Sequence, residues 1–142
     1  MLVNPHNSPV LKPLLVGKDL RAERIAYAES LPRIPISSRE ASDILMLGMG
    51  AYTPLEGFMG AESWKKCCEE MHTADGVFWP IPITLSASES VASGISLGSE
   101  AALVGDSGTV YGIIEVSEKY EINKELECNE VYRTTDPKHP GV

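Results

Sequence analysis

The stretch SSREASDILMLGMGAYTPLEGFMG, residues 37–60, carries the densest folding signals of this chain. Ser37 is followed three residues later by Glu40, which is the spacing of a capping box. In that motif the serine side-chain oxygen accepts a hydrogen bond from the backbone amide of the glutamate. The glutamate carboxylate in turn accepts a hydrogen bond from the backbone amide of the serine. Ser38 is the alternative N-cap. The pattern therefore predicts that a helix begins at one of these two serines.

Apolar residues continue the helical pattern after the cap. Ala41, Ile44 and Leu45 stand at i, i+3 and i+4, so we predict that they form the buried face of the helix. Gly48 stands where a left-handed C-cap would end it. We expect a helix over residues 38–47.

The second half of the stretch, residues 48–60, combines four glycines with a proline and several large apolar residues. A flexible linker would be rich in small polar residues instead. We therefore predict an ordered loop whose apolar side chains are buried, namely Tyr52, Leu55, Phe58 and Met59.

The composition favours one packed domain over residues 1–142. The length lies within the usual ~100–200 residues of a domain, and a hydrophobic content of 43% is enough for a core. The formal net charge is −8. Because phosphate backbones and anionic lipids attract basic surfaces, the charge predicts neither nucleic acid nor membrane as a partner.

The cysteine count points to a reducing compartment. Cys67, Cys68 and Cys128 are odd in number and two are adjacent, so they predict free thiols rather than a disulfide framework. Core packing is the expected role of Cys67 or Cys68. The chain has no run of 18 apolar residues and no signal-peptide pattern at its start, so we expect a cytoplasmic protein.

The rest of the chain mixes short helices with short strands. Helical patterns fall at residues 19–31, 61–71 and 123–132. Strand patterns fall at residues 14–16, 34–36, 77–85, 101–104 and 109–116, the last two forming a hairpin. The prolines around Ile34 and Ile36 confine that segment to a sheet edge or to no sheet at all, and residues 86–100 resemble a mobile loop. This irregular order predicts an α+β fold with a small, mostly antiparallel sheet or pseudo-barrel.

We find no pattern typical of a catalytic, cofactor-binding or metal-binding site. The three histidines lie far apart and without a partner at ligand spacing, which favours surface or turn positions for His6, His72 and His139. The loop glycines match no phosphate-binding motif: Gly48, Gly50, Gly57 and Gly60. The serines of the polar segment lack the context of a nucleophile: Ser88, Ser90 and Ser93. We therefore predict no catalytic, cofactor-binding or metal-binding residue.

The segment Thr134–Gly141, TTDPKHPG, leaves two interpretations open. Asp136 before a proline is typical of a turn in which the carboxylate accepts a backbone amide ahead of it. The mixture of hydroxyl, carboxylate and imidazole groups can also serve a site on a neighbouring domain. We prefer the turn.

Four segments together resemble the N-terminal domain of the ATP sulfurylase, or sulfate adenylyltransferase, family. They are LKPLL at 11–15, AESLPRIPISSREASDILMLGMGAYTPLEGFMG at 28–60, FWPIPITL at 78–85 and VYRTTDPKHPGV at 131–142. The core YTPLEGFM at 52–59 and the ending TTDPKHPGV at 134–142 are the most specific parts.

The resemblance implies a PUA-like α+β pseudo-barrel in a cytoplasmic enzyme that joins ATP and sulfate into adenosine 5′-phosphosulfate and pyrophosphate. It implies two partners, the catalytic domain of the same polypeptide and, for the full-length enzyme, further copies in a homo-oligomer. The family's catalytic segment, Q-x-R-N-P-x-H-x-x-H, is missing because the chain contains no glutamine. No catalytic residue carries over, and we expect residues 1–142 to be inactive alone.

A stand-alone PUA-like binding or interaction module is the alternative function. Related barrels bind RNA, but phosphate contacts need clustered lysines and arginines. The charge of −8 argues against RNA, whereas an exposed apolar patch around Tyr52, Leu55 and Phe58 would favour a protein-interaction module.

Overall fold

The computed structural model describes residues 3–142, which divide into two compact units. The first unit comprises the residues up to Phe58 together with Leu85–Ser117. The second comprises Met59–Thr84 and Glu118–Val142. Each unit is built from two separate pieces of chain.

Five α-helices and three strands are present in the described residues. The helices are α1 Arg21–Glu29, α2 Ser38–Met49, α3 Ala61–Glu70, α4 Glu89–Ser93 and α5 Lys124–Glu127, which continues into a π-helical turn at Cys128–Tyr132. The strands are β1 Arg33–Pro35, β2 Glu100–Val104 and β3 Val110–Glu115. The α+β class is confirmed.

The three strands form one mixed, open sheet in the first unit, in the order β1-β2-β3. β1 runs parallel to β2 with Ile34 opposite Leu103, and it lies at an edge as its prolines predict. β2 and β3 are antiparallel with Ala102 opposite Ile113. The predicted hairpin is confirmed, and Gly108 takes the left-handed conformation in its turn with φ of 80°.

The strand alternation buries both faces of the sheet. Ala101 and Leu103 point to one side, where they pack with Ile34, Ile36 and Ile95. The neighbouring residues of β2 point to the other side and pack against Ala28 of α1. A core on each face of a three-stranded sheet explains why β2 is buried almost throughout.

The helix α2 confirms the capping box and part of the predicted buried face, since Ala41 and Ile44 pack against the core of the first unit. Ser37 is the N-cap and Glu40 completes the box, while the helix runs to Met49 and ends at Gly50 rather than at Gly48. Leu45 is 56% exposed, so its predicted burial is wrong. The buried positions are Glu40, Asp43 and Leu47, at i, i+3 and i+7. Two carboxylates occupy that face because other segments supply hydrogen bonds to both of them.

Two predicted strands are wrong. Residues 14–16 form no strand; their backbone instead reaches the last turn of α2, and Leu15 is 78% exposed. Residues 77–85 form only an isolated bridge between His72 and Phe78. Pro80 and Pro82 supply no amide hydrogen for a ladder, which explains why the apolar alternation there gives an irregular segment.

The polar segment 86–100 is also more ordered than predicted. Ser88 caps the short helix α4 by accepting the amide of Val91, and Ile95 is buried in the core of the first unit. Ile95, together with Val91, packs this segment on the core, although its composition resembles a mobile loop.

The second unit is organised around α3. Trp64, Cys67 and Cys68 are buried, as the helical stripe predicts, whereas Met71 lies just beyond the helix and is 45% exposed. The indole Nε1–H of Trp64 donates to Glu127 of α5 at 2.6 Å. Asn123 caps α5, which confirms the predicted start of the last helix.

Candidate functional site

The candidate site is an open cleft of about 660 Å³ in the first unit, between the start of α2 and the segment that leads into α4. Its apolar wall includes Ile36 and Val91. Four serines and two acidic residues supply its polar lining: Ser37, Ser38, Ser86, Ser88, Glu40 and Asp106.

Glu40 is the centre of this lining and is 2% exposed. One carboxylate oxygen, Oε2, accepts the amide of Ser37 at 2.8 Å and its hydroxyl at 2.7 Å. The other, Oε1, accepts the amide of Ser86 at 2.8 Å and its hydroxyl at 2.7 Å. Four donors from two distant segments therefore converge on one buried carboxylate.

These hydrogen bonds decide the charge of Glu40. Burial alone raises the pKa of a carboxyl group. Here the amides and hydroxyls of Ser37 and Ser86 outweigh burial, so the pKa of Glu40 lies below its ordinary value. An ionised carboxylate with four donors is a structural clamp, because a general acid would need a raised pKa.

Three of the four serine hydroxyls of the cleft are also committed to the structure. The hydroxyls of Ser37 and Ser86 donate to Glu40, and the hydroxyl of Ser88 caps α4. Across residues 3–142, every buried polar side-chain atom has a hydrogen-bond partner. No histidine lines the cleft within the described part of the chain.

The charge of the cleft disfavours an anionic ligand. Its described lining contains two acidic residues and neither lysine nor arginine. Sulfate and phosphate groups are bound most strongly by cationic side chains. The polar groups of the cleft therefore serve mainly to hold the start of α2 and the segment before α4 together.

A second buried carboxylate, Asp43, was missed by the sequence prediction. Its Oδ1 accepts the hydroxyl of Tyr52 at 3.0 Å, and its Oδ2 accepts Nη1 of Arg39 at 3.4 Å. Burial first, and then this hydrogen bond, raise the pKa of Tyr52 to about 12. The helical spacing of Glu40, Asp43 and Leu47 could have predicted that these residues share one face of α2. Two acidic residues on a face, however, usually indicate that the face is exposed to solvent.

The apolar loop is ordered, as predicted, though less buried than expected. Met59 is buried, whereas Tyr52, Leu55 and Phe58 are half-buried. The hydroxyl of Thr53 accepts the amide of Lys12 at 3.0 Å and donates to the carbonyl of Gly50 at 2.7 Å, and the Thr53–Pro54 peptide is cis. This loop is thus joined to the N-terminal arm, by which we mean residues 10–16.

The histidines lie in separate places. Among residues 3–142 no group of three metal-ligating side chains comes together. His72 lies edge-on to the Phe78 ring with centroids 5.9 Å apart, and Nδ1 of His139 accepts the amide of Gly141 at 3.1 Å. The lack of catalytic, cofactor-binding and metal-binding residues stays a prediction.

The cysteines confirm the core interpretation. Cys67 and Cys68 are buried, and the thiol of Cys67 donates to the carbonyl of Trp79 at 2.8 Å. Burial raises the pKa of both thiols to about 12, and the charge of Glu127 adds to the effect. Burial therefore favours the protonated thiol form of both groups at neutral pH.

The terminal segment adopts the predicted turn. Oδ1 of Asp136 accepts the amide of Lys138 at 2.9 Å, and the hydroxyl of Thr134 accepts the amide of Asp136 at 3.1 Å. Whether this turn also serves a neighbouring domain stays a hypothesis. In the part of the chain that the structure describes, no helix is long and apolar enough to cross a membrane.

Comparison with known proteins adds a consistent set of relatives. A family model for a PUA-like domain matches residues 3–142. Sulfate adenylyltransferases of Chlorobium chlorochromatii and Chlorobaculum tepidum are 54% and 52% identical to this chain, over 99% of its length and 35% of theirs. The sulfate adenylyltransferase of Psychrobacter arcticus is 47% identical, again over 99% of this chain and 35% of the relative.

A solved structure is similar as well. It is described as a hexameric APS kinase from Thiobacillus denitrificans, and it matches with a TM-score of 0.74 and 28% sequence identity. The match covers 87% of this chain and 24% of that one. This chain spans about a third of the length of the curated relatives it matches.

Proposed function

Because the chain belongs to the PUA-like domain family, we propose that it is the N-terminal, non-catalytic domain of a sulfate adenylyltransferase. The observation that carries the proposal is 54% identity to such an enzyme across 99% of this chain and only 35% of the enzyme. A match of that kind is what one domain of a longer polypeptide would give.

The proposed whole enzyme joins ATP and sulfate into adenosine 5′-phosphosulfate and pyrophosphate. That reaction needs cationic and hydrogen-bonding groups to hold sulfate in line with the α-phosphorus and to stabilise the leaving pyrophosphate. The cleft around Glu40 offers two acidic residues instead. The absence of glutamine, and hence of the family's catalytic segment, further supports placing the chemistry outside these 142 residues.

The domain's proposed role is support of the catalytic domain in the same polypeptide. The clamps around Glu40 and Asp43 suit this role, since they fix α2 against the segments around it. We further propose that the full-length enzyme is cytoplasmic and forms a homo-oligomer. The hexameric description of the structural relative supports the last point.

The first test is the intact mass of the native protein in its source cells, detected with an antibody against residues 1–142. We expect a polypeptide roughly three times as long as this chain, since the relatives are covered over 35% of their length. The purified long polypeptide should release pyrophosphate from ATP only when sulfate is present.

Two outcomes would overturn the proposal. A native chain of 15.4 kDa would favour the stand-alone binding or interaction module. Sulfate-dependent pyrophosphate release by residues 1–142 alone, above a control without protein, would place the chemistry in this chain.

A further inference from the structure

The N-terminal arm, residues 10–16, is attached to α2 of the same unit by its backbone. The amide of Leu14 donates to the carbonyl of Leu47 at 3.3 Å, and the amide of Leu15 donates to that of Gly48 at 3.0 Å. These carbonyls belong to the last turn of α2, and that of Leu47 also accepts a hydrogen bond from the amide of Gly50, so the arm adds to the hydrogen bonds at this helix end. The position of the arm therefore does not depend on burying its side chains.

Its leucine side chains consequently face outward, beside an apolar strip of α2. Leu15 is 78% exposed, and its Cδ1 would lie 4.0 Å from a Cβ at Gly48. Successive helical residues are about 100° apart, which places Leu45 and Met49 about 60° and 100° from Gly48 around the helix. Met46 lies farther round on the same side, about 160° from Gly48. Leu45 and Met49 are 56% and 61% exposed. We call the surface formed by Leu14, Leu15, Leu45, Met46 and Met49 the arm patch.

A surface helix of a globular protein normally directs polar residues to solvent. The exposed face of α2 is instead apolar over its last two turns and continues into the arm. Single exposed leucines are ordinary, but a continuous patch marks a surface that something covers. Its two methionines suit a contact surface, because their flexible side chains adapt to a partner.

We infer that the arm patch is the surface on which the rest of the longer polypeptide packs. This inference rests on the proposed function, since the occupant is the two thirds of the enzyme outside these 142 residues. The length of the relatives supplies that additional chain. A second copy is a weaker candidate for the occupant, because each copy of this domain carries a net charge of −8.

The test uses methionine oxidation by hydrogen peroxide in the full native polypeptide, read by peptide mass spectrometry. Each rate is divided by the rate of the same methionine in urea. We expect Met46 and Met49 to oxidise as slowly as Met59, which is 7% exposed in the domain itself. Met71 is exposed outside the arm patch and provides the comparison for an accessible side chain.

A pair of variants separates contact from general stability. In the full polypeptide, the double substitution Leu45→Glu with Met49→Glu should make Met46 oxidise several-fold faster. The matched control, Leu97→Glu, changes an equally exposed apolar residue elsewhere in the first unit and should leave Met46 unchanged. Glutamate is a good helix former, so the double variant retains α2.

Three results would overturn the inference. Met46 and Met49 oxidising as fast as Met71 would leave the arm patch open to solvent. Protection that disappears when an oligomer is diluted to monomers would assign the patch to a second copy. A native chain of only 15.4 kDa would remove the occupant and the proposed function together, whereas the first two results leave the proposed function intact.

Discussion

Glu40 and Ser86 are separated by 46 positions in the chain, yet one carboxylate oxygen of Glu40 accepts both the amide and the hydroxyl of Ser86. The same glutamate closes the capping box with Ser37 through its other oxygen. The residue that completes the local capping box of α2 therefore also attaches the segment before α4 to that helix.

Replacing this carboxylate should destabilise the protein. In Glu40→Gln one oxygen becomes an NH₂ group, so the serine amide on that side faces a donor and remains unsatisfied. A buried unsatisfied donor costs about 1–3 kcal/mol in the free energy of unfolding, which urea denaturation measures. Glu121→Gln makes the same charge change at an exposed position and should cost little. Equal effects of the two substitutions would contradict the clamp.

Stability should fall in acid because of the same residue. The pKa of Glu40 is lowered by folding, so its contribution is fully present above the ordinary value of 4.5 and is lost as the pH falls through the lower folded value. The difference in unfolding free energy between wild type and Glu40→Gln should therefore narrow below pH 4.5. Urea titrations between pH 7 and pH 3 measure it, and a constant difference would contradict the prediction.

Gly50 should tolerate a side chain less well than other left-handed glycines. A Cβ there would lie 3.1 Å from the backbone nitrogen of Pro13, and φ is +80°. The left-handed conformation costs roughly 1–2 kcal/mol for a residue with a side chain, and contact with the arm adds to this cost. Gly108 has the same φ with nothing within 4 Å of a Cβ.

Comparing Gly50→Ala with Gly108→Ala thus isolates the contact with the arm. We expect the larger loss of unfolding free energy at Gly50, together with faster hydrogen exchange of the Leu14 and Leu15 amides. Equal losses at the two glycines, with unchanged exchange, would show that the arm does not depend on this close approach.

The cysteines should differ in reactivity. Cys67 and Cys68 are buried with a thiol pKa of about 12, whereas Cys128 is only half-buried. At pH 8 a thiol-specific reagent should modify Cys128 first and the other two only after urea is added. Peptide mass spectrometry identifies the modified residue, and early modification of Cys68 would contradict its burial.

Elements with local signals could be predicted from the sequence. The capping box of α2, the hairpin around Gly108 and the apolar stripe of α3 are all confirmed. Each depends on residues within about four positions of one another, or on a short turn whose geometry one glycine permits.

The wrong predictions share one cause. Whether a residue is buried or joins a sheet depends on partners that are distant in sequence. Residues 77–85 alternate like a strand, but a strand also needs free amides and a neighbour, and two prolines remove donors. Leu45 has helical spacing for the core, yet it is exposed while Ile44 packs inward. Glu40 and Asp43 share the inner face because they find hydrogen-bond donors there.

The sequence by itself determined the α+β class, the resemblance to the sulfate adenylyltransferase family and the local starts of α2, α3 and α5. The tertiary structure alone decided that Ser86 satisfies Glu40, that Tyr52 satisfies Asp43 and that the arm exposes its leucines beside α2. The physical reason is that a buried polar group is stable only where its hydrogen-bond partner lies. Periodicity and spacing predict the secondary structure of the segment that contains a residue. They do not predict which distant segment supplies its hydrogen-bond partner, because that depends on the tertiary fold.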